Sequence, residues 1–167
     1  MLVELQTIGK AALSLGTKVV PFLFSRYWNP TRLAESTQID IRARGDQVTI
    51  VGESAPVIDC WLTIRNHAPF DVVLDKLNID IRSGGYSASI WFHHTVTLSP
   101  GQTKDVSVGS QMNPPITANL DQQGNIARCN LVITGYFKCR YRGYEVTNQN
   151  TAFINARLIN IECQPAA

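Results

Sequence analysis

The side chains best suited to chemistry in this 167-residue sequence are three histidines, four cysteines and thirteen carboxylates. His93 and His94 are adjacent, and neighbours on a regular strand point to opposite faces, so the pair is poorly placed to ligate one metal ion. His94 falls in phase with Phe92 and Val96 and reads as a hydrogen-bonded core or rim histidine, while His67 stands alone in a turn. Cys60, Cys129, Cys139 and Cys163 contain no C-x-x-C pair for zinc or redox work. Three of them fall on apolar faces, where a reduced thiol behaves as a small hydrophobe; two bridges in an oxidising compartment are the alternative. Cys129 and Cys139 share one face of one predicted strand ten residues apart and cannot bridge each other. Asp75, Asp80 and Asp105 lie in or beside predicted strands as ordinary solvated residues. G-x-S-x-G, H-E-x-x-H, P-loop and G-x-G-x-x-G motifs are all missing. No catalytic residue, cofactor or metal site is expected, and a cross-strand metal-dependent enzyme is an alternative that no spacing supports.

The elements that position these residues begin with an unusual composition. Hydrophobic residues make up 44% of the chain and charged ones only 17%, with a formal net charge of +2. Such a field does not announce nucleic acid as a partner. The length suits one domain with an arm. No N-x-[ST] acceptor occurs. Arg44-Gly45-Asp46 matches a cell-adhesion tripeptide, but Gly-Asp is also what a hairpin turn requires.

Residues 1–28 read as an amphipathic helical arm. Leu5, Ile8, Ala12, Leu15, Val19 and Phe22 recur at spacings of three and four. Lys10 and Lys18 interrupt the run and no cation precedes it, which argues against a signal peptide, and 11–24 is short for a bilayer span. Pro21 should end or kink the helix ahead of an aromatic cluster of Phe22, Leu23, Phe24, Tyr27 and Trp28. Two readings stand: a helix packed on its own domain or a sister subunit, and an interfacial membrane anchor. Residues 29–37 read as a linker.

From 38 to 167 the period is two, which predicts an all-β domain. Expected strands run over 38–43, 47–51, 56–66, 70–82, 86–98, a segment carrying Val106 and Val108, 125–141, 144–147 and 151–163. The apolar phase shifts from Val72 and Leu74 to Leu77, Ile79 and Ile81, which predicts a β-bulge near Asp75. Ser99-Pro100-Gly101-Gln102 is a turn, and 113–124 is where a Greek-key crossover would run. The spacing predicts an antiparallel immunoglobulin-like β-sandwich of seven or eight strands behind the N-terminal amphipathic helix.

A strand ending at Asn66 with Pro69 close behind, a bulged strand over 72–81, Gly84-Gly85, and a strand leading to Pro100-Gly101 and Val106 and Val108 occur in order. Gly135-Tyr136-Phe137 through Gly143 to Ile161 closes the chain as a hairpin. The pattern, over roughly 56–162, resembles the late-embryogenesis-abundant group-two, or water-stress and hypersensitive-response (WHy), domain. The resemblance implies an immunoglobulin-like sandwich without catalytic residues, linked to stress protection or membrane association. Many members of that family carry a membrane segment ahead of the sandwich, where this chain has its arm.

The expected function is therefore a non-catalytic binding module that meets a membrane lipid surface or a protein partner through its helix. The contact residues would be Leu5, Ile8, Leu15, Lys18, Val19, Phe22, Phe24 and Trp28. Outward Trp61 and Trp91, with Arg128, Lys138, Arg140 and Arg142, form a secondary candidate surface. A structural subunit of a homo- or hetero-oligomer is the alternative. Expected localisation is cytoplasmic, with peripheral membrane association, and no nucleic acid is expected as a partner.

Overall fold

The structure, a computed structural model, describes residues 26–44, 47–52, 56–93, 95–112, 120, 122–148 and 153–159. Among them are one helix, α1 (Pro30–Glu35), and eleven strands: β1 (Thr37–Ile41), β2 (Val48–Val51), β3 (Val57–Asn66), β4 (Val72–Ser83), β5 (Tyr86–Phe92), β6 (Val96–Leu98), β7 (Thr103–Gln111), β8 (Gln122–Gln123), β9 (Ile126–Lys138), β10 (Gly143–Thr147) and β11 (Phe153–Ile159).

The pairing resolves into two layers. In the first, β3 takes β7 along one edge and β1 and β2 in tandem along the other. In the second, β4 takes β5 and β6 in tandem along one edge and β9 along the other. The far edge of β9 takes β10 and β11, again in tandem. Counted as rows, the sandwich has three strands facing four, within the seven or eight strands expected, although breaks raise the number of segments to eleven among the described residues. The segment expected over 86–98, for instance, is broken into β5 and β6. A short parallel pair, β2 with β11, joins the two layers along one side.

Alternation dictates what lies between the layers. Ile58, Cys60, Leu62 and Ile64 of β3 face Leu77, Ile79 and Ile81 of β4 and Cys129, Leu131, Ile133 and Phe137 of β9 within one buried cluster. The predicted phase change in β4 is real: its register against β9 slips between Leu74 and Lys76, placing the bulge at Asp75. One expected inward residue differs. Cys139 lies past the end of β9 and is half-buried, its thiol reaching the Arg142 carbonyl at 3.4 Å. Cys60 and Cys129 are buried free thiols, as their phase requires. Cys163 lies outside the described residues.

Gly135 occupies an inward position of β9 because nothing larger fits. A Cβ there would stand 2.6 Å from Cε2 of Phe137 and 3.3 Å from Cδ1 of Ile39. The Phe137 ring is itself stacked on Tyr144 at 5.7 Å. Gly135→Ala should therefore displace that stack and cost about 1–3 kcal/mol in urea denaturation, a penalty of overpacking.

Within the 29–37 stretch, expected as a linker, residues 30–35 form α1 instead. Asn29 caps α1, its Oδ1 accepting from the Arg32 N–H at 2.9 Å, and Pro30 takes the first helical position. Leu33 is fully buried, so α1 belongs to the domain, and β1 starts directly after it at Thr37. Of the arm predicted over 1–28, only residues 26–28 are described, with Arg26 and Tyr27 helical.

Candidate functional site

The chain enters the sandwich through a run of aromatic rings. Tyr27 meets Trp28 edge-on at 5.5 Å, Trp28 meets Phe70 at 5.0 Å, and Phe70 meets Tyr141 at 5.3 Å. Each link has the edge-to-face geometry that aromatic quadrupoles favour. Three elements contribute: the arm's end, the loop before β4 and the β9–β10 turn. Trp28 and Phe70 are half-buried against the core, whereas Tyr27 stays 59% exposed. Both outer rings are covered by guanidinium groups, Arg32 over Tyr27 at 4.0 Å and Arg140 over Tyr141 at 4.6 Å. Arg140 also donates a hydrogen bond to the Tyr141 hydroxyl.

Beside these rings Phe70, Val73, Pro100, Lys138, Cys139 and Arg140 line an open depression together with Asp71. Lys138 donates to Asp75 at 2.7 Å across the bulge, both side chains about half exposed. That hydrogen bond, and then the ammonium charge, hold the Asp75 carboxyl below its ordinary range. The bulge thus has a local structural effect: it brings Asp75 against the Lys138 ammonium.

The other candidate residues are dispersed. Arg128 lies ten positions before Lys138 on β9, roughly 33 Å along an extended strand, and its guanidinium sits over Phe153 at 4.3 Å. Only Lys138, Arg140 and Arg142 come together, around the β9–β10 turn. Trp61 and Trp91 both point outward, but from opposite layers. Trp61 is half-buried beneath the Arg42 guanidinium at 4.4 Å. Trp91, 48% exposed, stacks on Tyr136 at 5.5 Å with the Lys76 ammonium above both rings. Leu5, Ile8, Leu15, Lys18, Val19, Phe22 and Phe24 lie outside the described residues, as do His94, Gly45 and Asp46. His67 and His93 are exposed, and among the described residues no three His, Cys, Asp or Glu side chains group as metal ligands.

Sequence reasoning missed the residue that holds the loop beneath this site. Asn66 is fully buried, and its Nδ2 donates to the carbonyls of Phe70 at 2.9 Å, Leu98 at 3.0 Å and Ser99 at 3.1 Å. Its Oδ1 accepts from the Ala68 N–H at 2.9 Å. The main chain adds two bonds: Asn66 N–H donates to Gln102, and Gly101 N–H donates back to the Asn66 carbonyl. Gly101 has φ +72°, the third-position requirement of a type II turn after Pro100. A signal existed, because Asn66 continues the inward phase of Ile58, Cys60, Leu62 and Ile64, and a polar side chain there must find partners. Asn29-Pro30 likewise carried a helix-start signature rather than only a break.

No protein-family profile matches the chain, and neither does any curated protein. Its fold is similar to the solution structure of a candidate late embryogenesis abundant (LEA) protein at TM-score 0.53 and 12% identity, with 95% of this chain and 90% of that one covered. It is also similar to a Northeast Structural Genomics Consortium target at TM-score 0.51 and 10% identity, covering 81% of this chain and 95% of that one. At these identities the likeness concerns the fold alone, an all-β sandwich.

Proposed function

We propose that this LEA-like sandwich is a non-catalytic module that docks on an anionic membrane surface through the end where its N-terminal arm joins it. The observation that carries the reading is the aromatic run Tyr27, Trp28, Phe70 and Tyr141, with the Arg32 and Arg140 guanidiniums over its outer rings. Amphipathic rings settle at the headgroup level of a bilayer, and arginines beside them reach lipid phosphates. Each cation close to an anionic leaflet contributes about 1 kcal/mol, so a few suffice only when an apolar element inserts as well. The apolar stripe of the arm, with Lys10 and Lys18 among its residues, supplies that second signal. No helix among the described residues is long and apolar enough to cross a membrane, and surface docking does not need one. Buried reduced thiols at Cys60 and Cys129 suit a reducing compartment, whose membranes present anionic lipid on that side. The LEA likeness supports a stress-related role for such a module.

Vesicle flotation of the full-length chain tests this. Recovery with phosphatidylserine-containing vesicles should exceed recovery with phosphatidylcholine alone. Arg32→Glu combined with Arg140→Glu should reduce it severalfold, while Arg128→Glu, at the distant end of β9, should leave it unchanged. Equal flotation on both vesicle types, or loss with Arg128→Glu alone, would refute the site. Light scattering that showed an oligomer dissolved by the same double substitution would favour the structural-subunit alternative.

A further inference from the structure

One side of the sandwich is closed by the parallel β2–β11 pair. Further along the same side β1 and β10 take the corresponding positions, yet β1 pairs only with β3 and β10 only with β9 among the described residues. The ladder geometry shows which backbone groups lie on the open edges. His67 N–H donates to the Ser36 carbonyl and Arg42 N–H to the Trp61 carbonyl, which assigns the even-numbered residues of β1 to β3. Cys139 N–H donates to the Arg142 carbonyl and Asn148 N–H to the Ile133 carbonyl, which does the same for β10 and β9. In an antiparallel ladder the alternate residues then turn their N–H and C=O groups the other way. These are Thr37, Ile39 and Ile41 on β1, and Gly143, Glu145 and Thr147 on β10; Thr37 and Ile39 are buried, whereas the three β10 residues are exposed, so the accessible edge is that of β10.

Between the two edges runs a groove of about 230 Å³, closed at one end by Thr31, Ala34 and Glu35 of α1. Three carboxylates line it, Glu35, Asp40 and Glu145, and its lining contains no lysine, arginine or histidine. None of the three is ion-paired among the described residues, in a chain whose net charge is +2. The floor is fixed by the buried bond between Thr37 Oγ1 and the Tyr144 hydroxyl at 2.8 Å, so the two edges are held in register.

We infer that this groove receives an extended, lysine- or arginine-rich segment of a partner protein, which adds as a strand to the β10 edge and sets its cations against Glu35, Asp40 and Glu145. Strand addition supplies main-chain hydrogen bonds without regard to sequence, and the carboxylates supply the selection for basic side chains. A second copy of this chain is a poor occupant, because a symmetric contact through these edges would place like charges together. Carboxylates on an edge can also serve merely to repel other edges, and the test separates the two roles.

The full-length protein is titrated into a fluorescein-labelled decapeptide of alternating lysine and threonine, and anisotropy is read at low and at physiological salt. Binding should weaken as salt rises. The combined variant Glu35→Gln, Asp40→Asn, Glu145→Gln should weaken it about tenfold or more, as three exposed pairs of about 0.5 kcal/mol each would require. A glutamate–threonine peptide should not bind. Amide hydrogen exchange should show peptide-dependent protection at Glu145 and Thr147 of β10, and not on β7. Equal binding by wild type and the triple variant, or protection confined to other strands, would overturn the inference. So would a wild type that binds no peptide while the triple variant dimerises, which would leave the carboxylates as edge guards only.

Discussion

Asn66→Ala is expected to destabilise the protein by about 3–4 kcal/mol, with little change in the denaturant m-value. The side chain carries four hydrogen bonds from a fully buried position, three given by Nδ2 and one taken by Oδ1. Truncation deletes them all and deprives the buried Leu98 carbonyl and Ala68 N–H of this partner, and each such group costs about 1–3 kcal/mol, while the Ser99 carbonyl keeps the Gln102 N–H. The sum is smaller than the parts because the 67–70 loop and the Ser99–Gln102 turn can relax toward water. Asn66→Asp should be worse at neutral pH than alanine, since a carboxylate would confront three carbonyl oxygens where an amide now donates. Acidification should recover part of that loss by restoring one O–H donor. Urea midpoints of the two variants decide the matter: a cost below about 1 kcal/mol for Asn66→Ala would mean that the loop is held by other contacts.

The alkaline limb of the stability profile carries the second large effect. Burial pushes the Cys60 thiol up from 9.0 to about 12, with the Asp59 carboxylate adding to it. Burial likewise raises the Tyr144 phenol from 10.0 to about 12, against the opposing hydrogen bond from Thr37. Below pH 9 both groups are protonated in the folded and unfolded chains alike, and neither makes stability depend on pH. Above it the unfolded chain loses the thiol proton first, and from about pH 10 the phenol proton also, while the folded chain keeps both. The equilibrium is drawn toward unfolding at up to about 1.4 kcal/mol per pH unit for each group until pH approaches the folded values. For Cys60 the loss accumulated by pH 12 is on the order of 3–4 kcal/mol. Cys60→Val, nearly conserving volume, should fold at neutral pH and lose stability less steeply between pH 9 and 10 than wild type. Superimposable profiles in that interval would show that the thiol ionises without unfolding.

Local patterns were readable where one strand decided them alone. The inward phase of β9 and the slip at Asp75 follow from period two, because a register error would turn Leu77, Ile79 and Ile81 toward water. Elements decided by distant partners were not readable in the same way. Six residues of α1 are too few to show helical periodicity, and burial of Leu33, not propensity, keeps them helical. Trp28, Phe70 and Tyr141 lie far apart in sequence, and only the closing of the sandwich brings their rings within contact. The same holds for the acidic groove, where Asp40 and Glu145 meet from different layers. Charges near the C-terminus, which look like one basic face, separate because a strand is long: Arg128 leaves the group while Lys138 is compensated by Asp75.

The docking account is tested most directly by tryptophan quenching on vesicles that contain brominated, phosphatidylserine-rich lipid. Two single-tryptophan proteins are compared, one retaining Trp28 with Trp61→Phe and Trp91→Phe, the other retaining Trp91 with Trp28→Phe and Trp61→Phe. If the arm end of the sandwich meets the lipid, Trp28 is quenched strongly on binding and Trp91, on the outer face of β5, is quenched little. Quenching of Trp91 equal to or greater than that of Trp28 would contradict the account.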